Sequence, residues 1–310
     1  MIFCETEILP GQRKTVRIPV PNAEPAEAHV FCGARPGKTL VLTAGVHGCE
    51  YVGIETLRRL ARELNPAALA GNVVLVPLIN TGGFLAGVKQ LVPEDGVNLN
   101  RAFPGDENGS LTYRLAFALE RALYPAADLL ADLHGGDHNQ ALTPLVFFPT
   151  AGAEDVNKAS LAAAKCLSVP YRVRSVADNG LYSWAVQRGV PALLIERGCA
   201  GRWSEREVAG CREDIASLLR HLGILSGENP VRRQTEIVEA VYEDAALDGF
   251  WYPQADAGDE VCQNALLGYV ETFGGRRAQE VRARFDGTVL YDTFALGVRA
   301  GDPLVAYGRA

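Results

Sequence analysis

No stretch of this sequence approaches the roughly 18 to 20 consecutive apolar residues that a membrane-spanning helix needs. The opening MIFCETEILPG has neither the basic start nor the apolar run of a secretory signal, so a cytoplasmic protein is expected. Positive charge is also in short supply: 30 lysines and arginines stand against 37 aspartates and glutamates, a formal net charge of -7. A general nucleic-acid or anionic-membrane partner would favour a basic face, so neither is expected, although a small cationic pocket stays open. The seven cysteines include no Cys-x-x-Cys pair. That removes support for a thiolate zinc site, and a chain this long needs no disulfide staples, so reduced thiols are expected. Neither the Gly-x-Ser-x-Gly elbow of serine hydrolases nor the His-Glu-x-x-His helix of many metalloproteases is present. GARPGKT (Gly33 to Thr39) imitates a phosphate loop, but it has one residue too few between its glycines and leads into a strand where a helix is required, so a turn is expected there.

What the chain does contain is apolar material, 48% of 310 residues, enough for one large domain and a smaller one. Strand-like and helix-like segments alternate, which predicts an α/β layer architecture with a mixed, mostly parallel sheet flanked by helices. TLVLTAG reads as a strand. YVGIETLRRLARELNP follows as a helix with Ile54, Leu57, Ala61 and Leu64 on one face, stopping at Pro66. NVVLVPLIN, LLADLH, TPLVFFPT, YRVRSV and PALLIERG read as further strands. Helices are expected near Asp155 to Leu167, at LYSWAVQRG, and from Ser204 to about Leu222, where Ser204 and Glu207 make a capping box. Near SGENPVRR the pattern changes to short β-like runs separated by turn signals. This places a catalytic domain at 1–227, with a β-rich stretch over 1–37, and an all-β domain at 228–310.

The polar residues that interrupt this pattern sit at strand ends, where ligand sites of open α/β sheets gather. In VLTAGVHGCEYVG, His47 and Glu50 follow a strand and put an imidazole and a carboxylate within reach of one ion. His-x-x-Glu alone is more often a capped helix start. LLADLHGGDHN closes a second apolar run on Asp132, His134 and two glycines that allow another backbone to come close. Two imidazoles and one carboxylate would leave a tetrahedral zinc with an open position, the arrangement of a hydrolytic site; an isolated buried histidine bonded to a carbonyl is the alternative for His134. PALLIERG delivers Glu196 after four apolar residues, a costly placement unless the carboxylate is paired or faces a polar cavity. It is either a general base or a partner of Arg197 or Arg202. In DGVNLNRAFPG, Asn100 beside Arg101 suits bidentate capture of a substrate carboxylate, or else leaves a solvated arginine on a loop.

Taken in order, GVHGCE, NLNRAFPG, DLHGG and GVPALLIERG resemble the succinylglutamate desuccinylase/aspartoacylase family, relatives of the zinc carboxypeptidases, over roughly residues 38 to 222. The resemblance implies Zn2+ on His47, Glu50 and His134, Glu196 as the acid/base that activates water and protonates the leaving nitrogen, and Asn100 with Arg101 gripping the substrate carboxylate. It also implies the family's fold and reaction: a carboxypeptidase-like α/β domain that hydrolyses the amide of an N-acyl amino acid or similar small carboxylate, with homo-oligomers compatible. The C-terminal region resembles the lipoyl-like appendage of bacterial members. The last lysine is Lys165, so no lipoyl acceptor is present there. One departure concerns the arginine that many relatives use to stabilise the oxyanion. Gln90 occupies the aligned place, with Lys89 as a substitute, and loss of such a donor costs about 2.7 to 4 kcal/mol in other enzymes. A carboxypeptidase-like peptide hydrolase, a cysteine hydrolase using Cys49 with His47, and a catalytically silent binding or scaffold protein are the competing readings. Arg197 is a further rim residue, for acidic substrate groups or for pairing with Glu205.

Overall fold

VLTA, LLADL and ALLI carry no polar stripe to turn outward, as expected of strands covered by helices on both faces. In the computed structural model, which describes all 310 residues, the strands that hold them are neighbours near the middle of a nine-stranded sheet. In chain order the strands are β1 (Arg13–Ile18), β2 (Ala26–Cys32), β3 (Arg35–Ala44), β4 (Ala70–Val76), β5 (Leu129–His134), β6 (Leu145–Pro149), β7 (Tyr171–Ser175), β8 (Ala192–Glu196) and β9 (Thr235–Ile237). Across the sheet they lie β9-β7-β6-β8-β5-β3-β4-β2-β1. The joints among β8, β5, β3 and β4 are parallel, as are those among β9, β7 and β6. The three remaining joints are antiparallel, so the sheet is mixed and mostly parallel.

Six α-helices cover it: α1 (Tyr51–Glu63), α2 (Thr81–Ala86), α3 (Leu111–Leu123), α4 (Glu154–Ala164), α5 (Leu181–Gln187) and α6 (Glu205–His221). Alternation along β3 sorts its side chains between two cores. Leu40, Leu42 and Ala44 meet α1 and α6 through Leu57, Ala61, Ile215 and Leu218, while Val41 meets α3 and α5 through Leu119, Leu181 and Ala185. Each fully buried leucine here contributes on the order of 1.5 to 3 kcal/mol. Helix α1 ends before Leu64, short of the proline, because Asn65 accepts a bond from the Ala67 amide and turns the chain first. Ser204 caps α6 by accepting from the Glu207 amide, while the Glu207 side chain makes no return bond to Ser204, so only half of the expected box forms. The phosphate-loop imitation, expected to be a turn, is already strand from Arg35 onward: a side chain on Gly37 would come within 2.4 Å of the Ala70 carbonyl oxygen, so that glycine serves close strand approach.

Beyond β9 the chain is β-only. One sheet runs Gln140–Leu142, Gly287–Thr293, Pro303–Arg309, Glu239–Asp244, with Glu260–Val261 alongside the second of these; the other runs Arg277–Arg282, Leu266–Glu271, Gly249–Pro253, Gly297–Val298. Trp251, Leu267, Val289, Leu304 and Tyr307 fill the space between them. The two regions exchange strands. β9 extends the large sheet, and Gln140–Leu142, only six residues after His134, pairs with Tyr291–Thr293 of the C-terminal sheet. That second pairing brings the C-terminal sheet to the ends of β5 and β8.

Candidate active site

His134 is the last residue of β5 and Glu196 the last of β8, and parallel register sets them side by side. Three residues beyond β3, which flanks β5 on its other side, comes His47. The carboxyl ends of three neighbouring strands therefore converge. Glu50, at the start of α1, completes the cluster: His47 Nδ1 lies 2.7 Å from Glu50 Oε1, and His134 Nδ1 lies 2.9 Å from Glu50 Oε2. The two imidazole rings stand edge to face with centroids 4.8 Å apart. The backbone approach needed here explains the glycine after His134, since a side chain on Gly135 would sit 2.4 Å from the Arg197 carbonyl oxygen.

The outer nitrogens of both rings are already engaged. His134 Nε2 lies 2.9 Å from Asp132 Oδ2, and Asp132 in turn accepts from the Thr43 hydroxyl at 2.6 Å. His47 Nε2 lies 3.2 Å from Asn98 Oδ1, which also accepts from the Asn100 amide. Only the Nδ1 atoms and the Glu50 oxygens remain to act together, and one potential ligand atom from each residue lies within 4.8 Å of the others. All three residues are buried. Burial alone would raise Glu50, but His47 and His134 carry its carboxyl down to about 2. A buried anion facing two ring nitrogens, each oriented from behind by an oxygen acceptor, is a donor set that fits a divalent cation.

Glu196 has the opposite character. Its Oε2 is buried with no hydrogen-bond partner. Burial, reinforced by the nearby Glu50 carboxylate, pushes its pKa up to about 8. Neither Arg197 nor Arg202 neutralises it. Arg197 turns away to Asp214 at 2.6 Å and to the Ser168 hydroxyl at 2.8 Å, so it is a structural ion pair and serves neither substrate nor Glu205; Glu205 pairs with Arg59.

These residues open into a cavity of about 510 Å³ that Asn98, Asn100, Arg101 and Gln90 also line. Asn100 is buried, its Oδ1 accepting from the Leu181 amide, which leaves its Nδ2 free to donate. Arg101 gives one N–H to the Asn100 carbonyl and is otherwise exposed. Gln90, at a positive φ of 50°, reaches the cavity but donates its amide to Asp137 at 3.0 Å. Lys89 is not part of the lining. Cys49 is buried, its thiol bonded to the Asp137 carboxylate, and burial together with that carboxylate raises its pKa far above the ordinary thiol range. A nucleophilic thiolate is therefore not available.

Sequence reasoning named the inner residues and Asp132, without giving Asp132 a role, and missed the other outer ones. Asp132 stood two residues before His134, hence on the same strand face, and this was a usable signal. Asn98, the Asp137 network and the far wall of the cavity, which Tyr242, Asp244, Tyr291 and Pro303 supply from the C-terminal sheet, had no such signal.

Residues 36–222 match the succinylglutamate desuccinylase/aspartoacylase catalytic domain. An N-alpha-acetyl-L-2,4-diaminobutyric acid deacetylase from Halomonas elongata is 30% identical over 94% of this chain and 90% of its own. The product-bound structure of the ectoine utilization protein EutE (DoeB) from Ruegeria pomeroyi has a TM-score of 0.83 at 30% identity, covering 92% of this chain and 89% of that one. A succinylglutamate desuccinylase/aspartoacylase from Rhodobacter sphaeroides superposes with a TM-score of 0.86 at 26% identity, covering 99% and 98%.

Proposed function

The chain belongs to the succinylglutamate desuccinylase/aspartoacylase family and is a deacylase that hydrolyses amide bonds, and from that premise we propose that it is a zinc enzyme releasing a short acyl group from an N-acyl amino acid. The observation that carries this is the buried His47, Glu50, His134 cluster beside an unpartnered Glu196 oxygen. His47 and His134 would hold the zinc through Nδ1, and Glu50 through its carboxylate. Zinc there would supply Lewis-acid polarisation of the scissile carbonyl and acidify water.

The remaining steps belong to the side chains. Glu196, ionised, takes a proton from the attacking water on its free Oε2 as the carbon–oxygen bond forms. It returns that proton to the amide nitrogen as the carbon–nitrogen bond breaks, so acid and amine leave with atoms balanced. Burial raises the Glu196 carboxyl above the ordinary carboxylate range, which suits a group that must both take up and return a proton. Arg101 presents a two-pronged guanidinium to the substrate carboxylate, and Asn100 Nδ2 donates beside it. Asn98 and Asp132 hold the two imidazoles in the tautomers that point Nδ1 inward. The acyl group is proposed to be acetyl, following the substrate of the Halomonas relative.

Zinc-loaded Glu196→Gln should keep its metal and lose about 10²- to 10⁴-fold in turnover, read by metal analysis alongside hydrolysis of acetylated amino acids. Retention of full activity would remove Glu196 from the mechanism. A protein that binds no zinc, or hydrolyses no amide when loaded, would remove the proposal itself.

A further inference from the structure

The permanent charges that line the cavity outside the ligand cluster and Glu196 are two. Arg101 is its single arginine and no lysine joins it; Asp244 is its single aspartate. Arg101 makes no ion pair with any carboxylate of the chain, and the Asp244 carboxylate accepts no bond from it. The cavity therefore offers a counter-charge to one substrate carboxylate and leaves one anion of its own unmatched.

The surroundings of Asp244 define what would match it. Tyr242 and Asp244 lie two residues apart on the strand Glu239–Asp244 and both line the cavity, with a shift of pairing register between Glu243 and Asp244. Register places Tyr242 and Tyr291 on either side of Ala306, and Leu142 on the far side of Tyr291. The small Ala306 lets the two phenol rings lean toward each other, with centroids 6.2 Å apart. Crowding contributes as well: partial burial, then Glu243 and Asp302, raise the Asp244 carboxyl, and a cation beside it would relieve that repulsion. A carboxylate that lines the same cavity wall as two phenol rings offers an ammonium group a charge-assisted bond and a cation–π surface together.

We infer that Asp244, with Tyr242 and Tyr291, selects N-acyl amino acids whose side chain carries an amine, so that the substrate is a monocarboxylate with one cationic end. This rests on the deacylase reading and narrows it. Substrates with more than one carboxylate, such as N-acetylaspartate with two or N-succinylglutamate with three, are disfavoured, because the additional carboxylates would find no cation besides Arg101 and would face Asp244.

The test compares kcat/KM of the zinc-loaded protein for Nα-acetyl-2,4-diaminobutyrate, the neutral near-isostere Nα-acetylnorvaline and N-acetylaspartate. The cationic substrate should be preferred over the neutral one by about tenfold or more, the scale of one charge-assisted hydrogen bond. Asp244→Asn should bring that ratio close to unity, and Asp244→Lys should shift preference toward N-acetylaspartate. A ratio unchanged in Asp244→Asn, or a preference of the unaltered protein for the aspartate derivative, overturns the inference. Calorimetric binding of free 2,4-diaminobutyrate and norvaline to zinc-loaded Glu196→Gln, with and without Asp244→Asn, reads the same preference without turnover. If no amide is hydrolysed, the deacylase reading fails, while the calorimetric ratio still decides the role of Asp244.

Discussion

On the rim of the large sheet, the ring nitrogens that face away from the cluster have partners: Asp132 behind His134, Thr43 behind Asp132, and Asn98 behind His47. Across the same cavity, on the C-terminal sheet, Tyr242 and Asp244 are exposed and line the space between. The rim is buried and held in one geometry by its own hydrogen bonds, as a reacting centre requires. The opposite wall is open to water, so it tolerates an unmatched charge, though partial burial and the neighbouring Glu243 and Asp302 disfavour it, and it is free to differ without disturbing the chemistry. Reaction and selection are thus assigned to different sheets, joined where Gln140–Leu142 pairs with Tyr291–Thr293.

If the rim is rigid because of its outer hydrogen bonds, loosening one of them should cost metal affinity. Asp132→Asn keeps the shape of the side chain but removes the charge that orients His134. Zinc affinity is expected to weaken about ten- to hundredfold, measured by competition with a chelator of known affinity. An unchanged affinity would mean that the strand alone fixes His134, and the proposed contrast between rim and wall would lose its physical basis.

A smaller effect, on stability, separates Glu196 from its neighbours. The native carboxyl keeps its proton up to about 8, whereas an unfolded glutamate releases it near 4.5. Between those values the native state binds the extra proton, so this group's contribution is fully present below about 4.5 and is lost as pH rises toward 8. In the metal-free protein, wild-type stability should therefore decline with pH more steeply than that of Glu196→Gln, by at most about 1.4 kcal/mol per pH unit. Denaturant unfolding of both proteins at pH 5, 6 and 7 gives the two slopes. Parallel slopes would show that Glu196 is solvated, and its assignment as a tuned base would fall.

The rim was legible in the sequence because its signals are local. An apolar run that closes on a polar residue marks a strand end, and His47, His134 and Glu196 all stand at or just past such ends. Their convergence was not visible in periodicity; it came from the order of the four motifs. Helix α3 went unread, and its start explains why: the Ser110 side chain forms no cap, and the Thr112 amide is satisfied instead by Asp95, seventeen residues upstream. The selecting wall was hidden more deeply. Tyr242, Ala306 and Tyr291 meet only through the register of three strands separated by long connections, and no local pattern encodes that register. For the same reason Arg197 looked like a rim residue, although its partner Asp214 lies on α6, away from the cavity.

The finest division between the two sheets is tested at Tyr242, 48% exposed and free of any role in holding the rim. Tyr242→Leu keeps an apolar side chain of comparable reach but removes the aromatic face beside Asp244. A half-exposed cation–π contact contributes about 0.5 to 1 kcal/mol, so the preference for an amine-bearing over a neutral acyl amino acid should fall about two- to fivefold. The change should appear in KM, because the ammonium stays on the wall from binding through reaction and is held equally in ground and transition states. Zinc content should be unaltered. A loss of metal, or an equal fall in kcat for both substrates, would mean that the wall also shapes the rim, and reaction and selection would then be one structural unit instead of two.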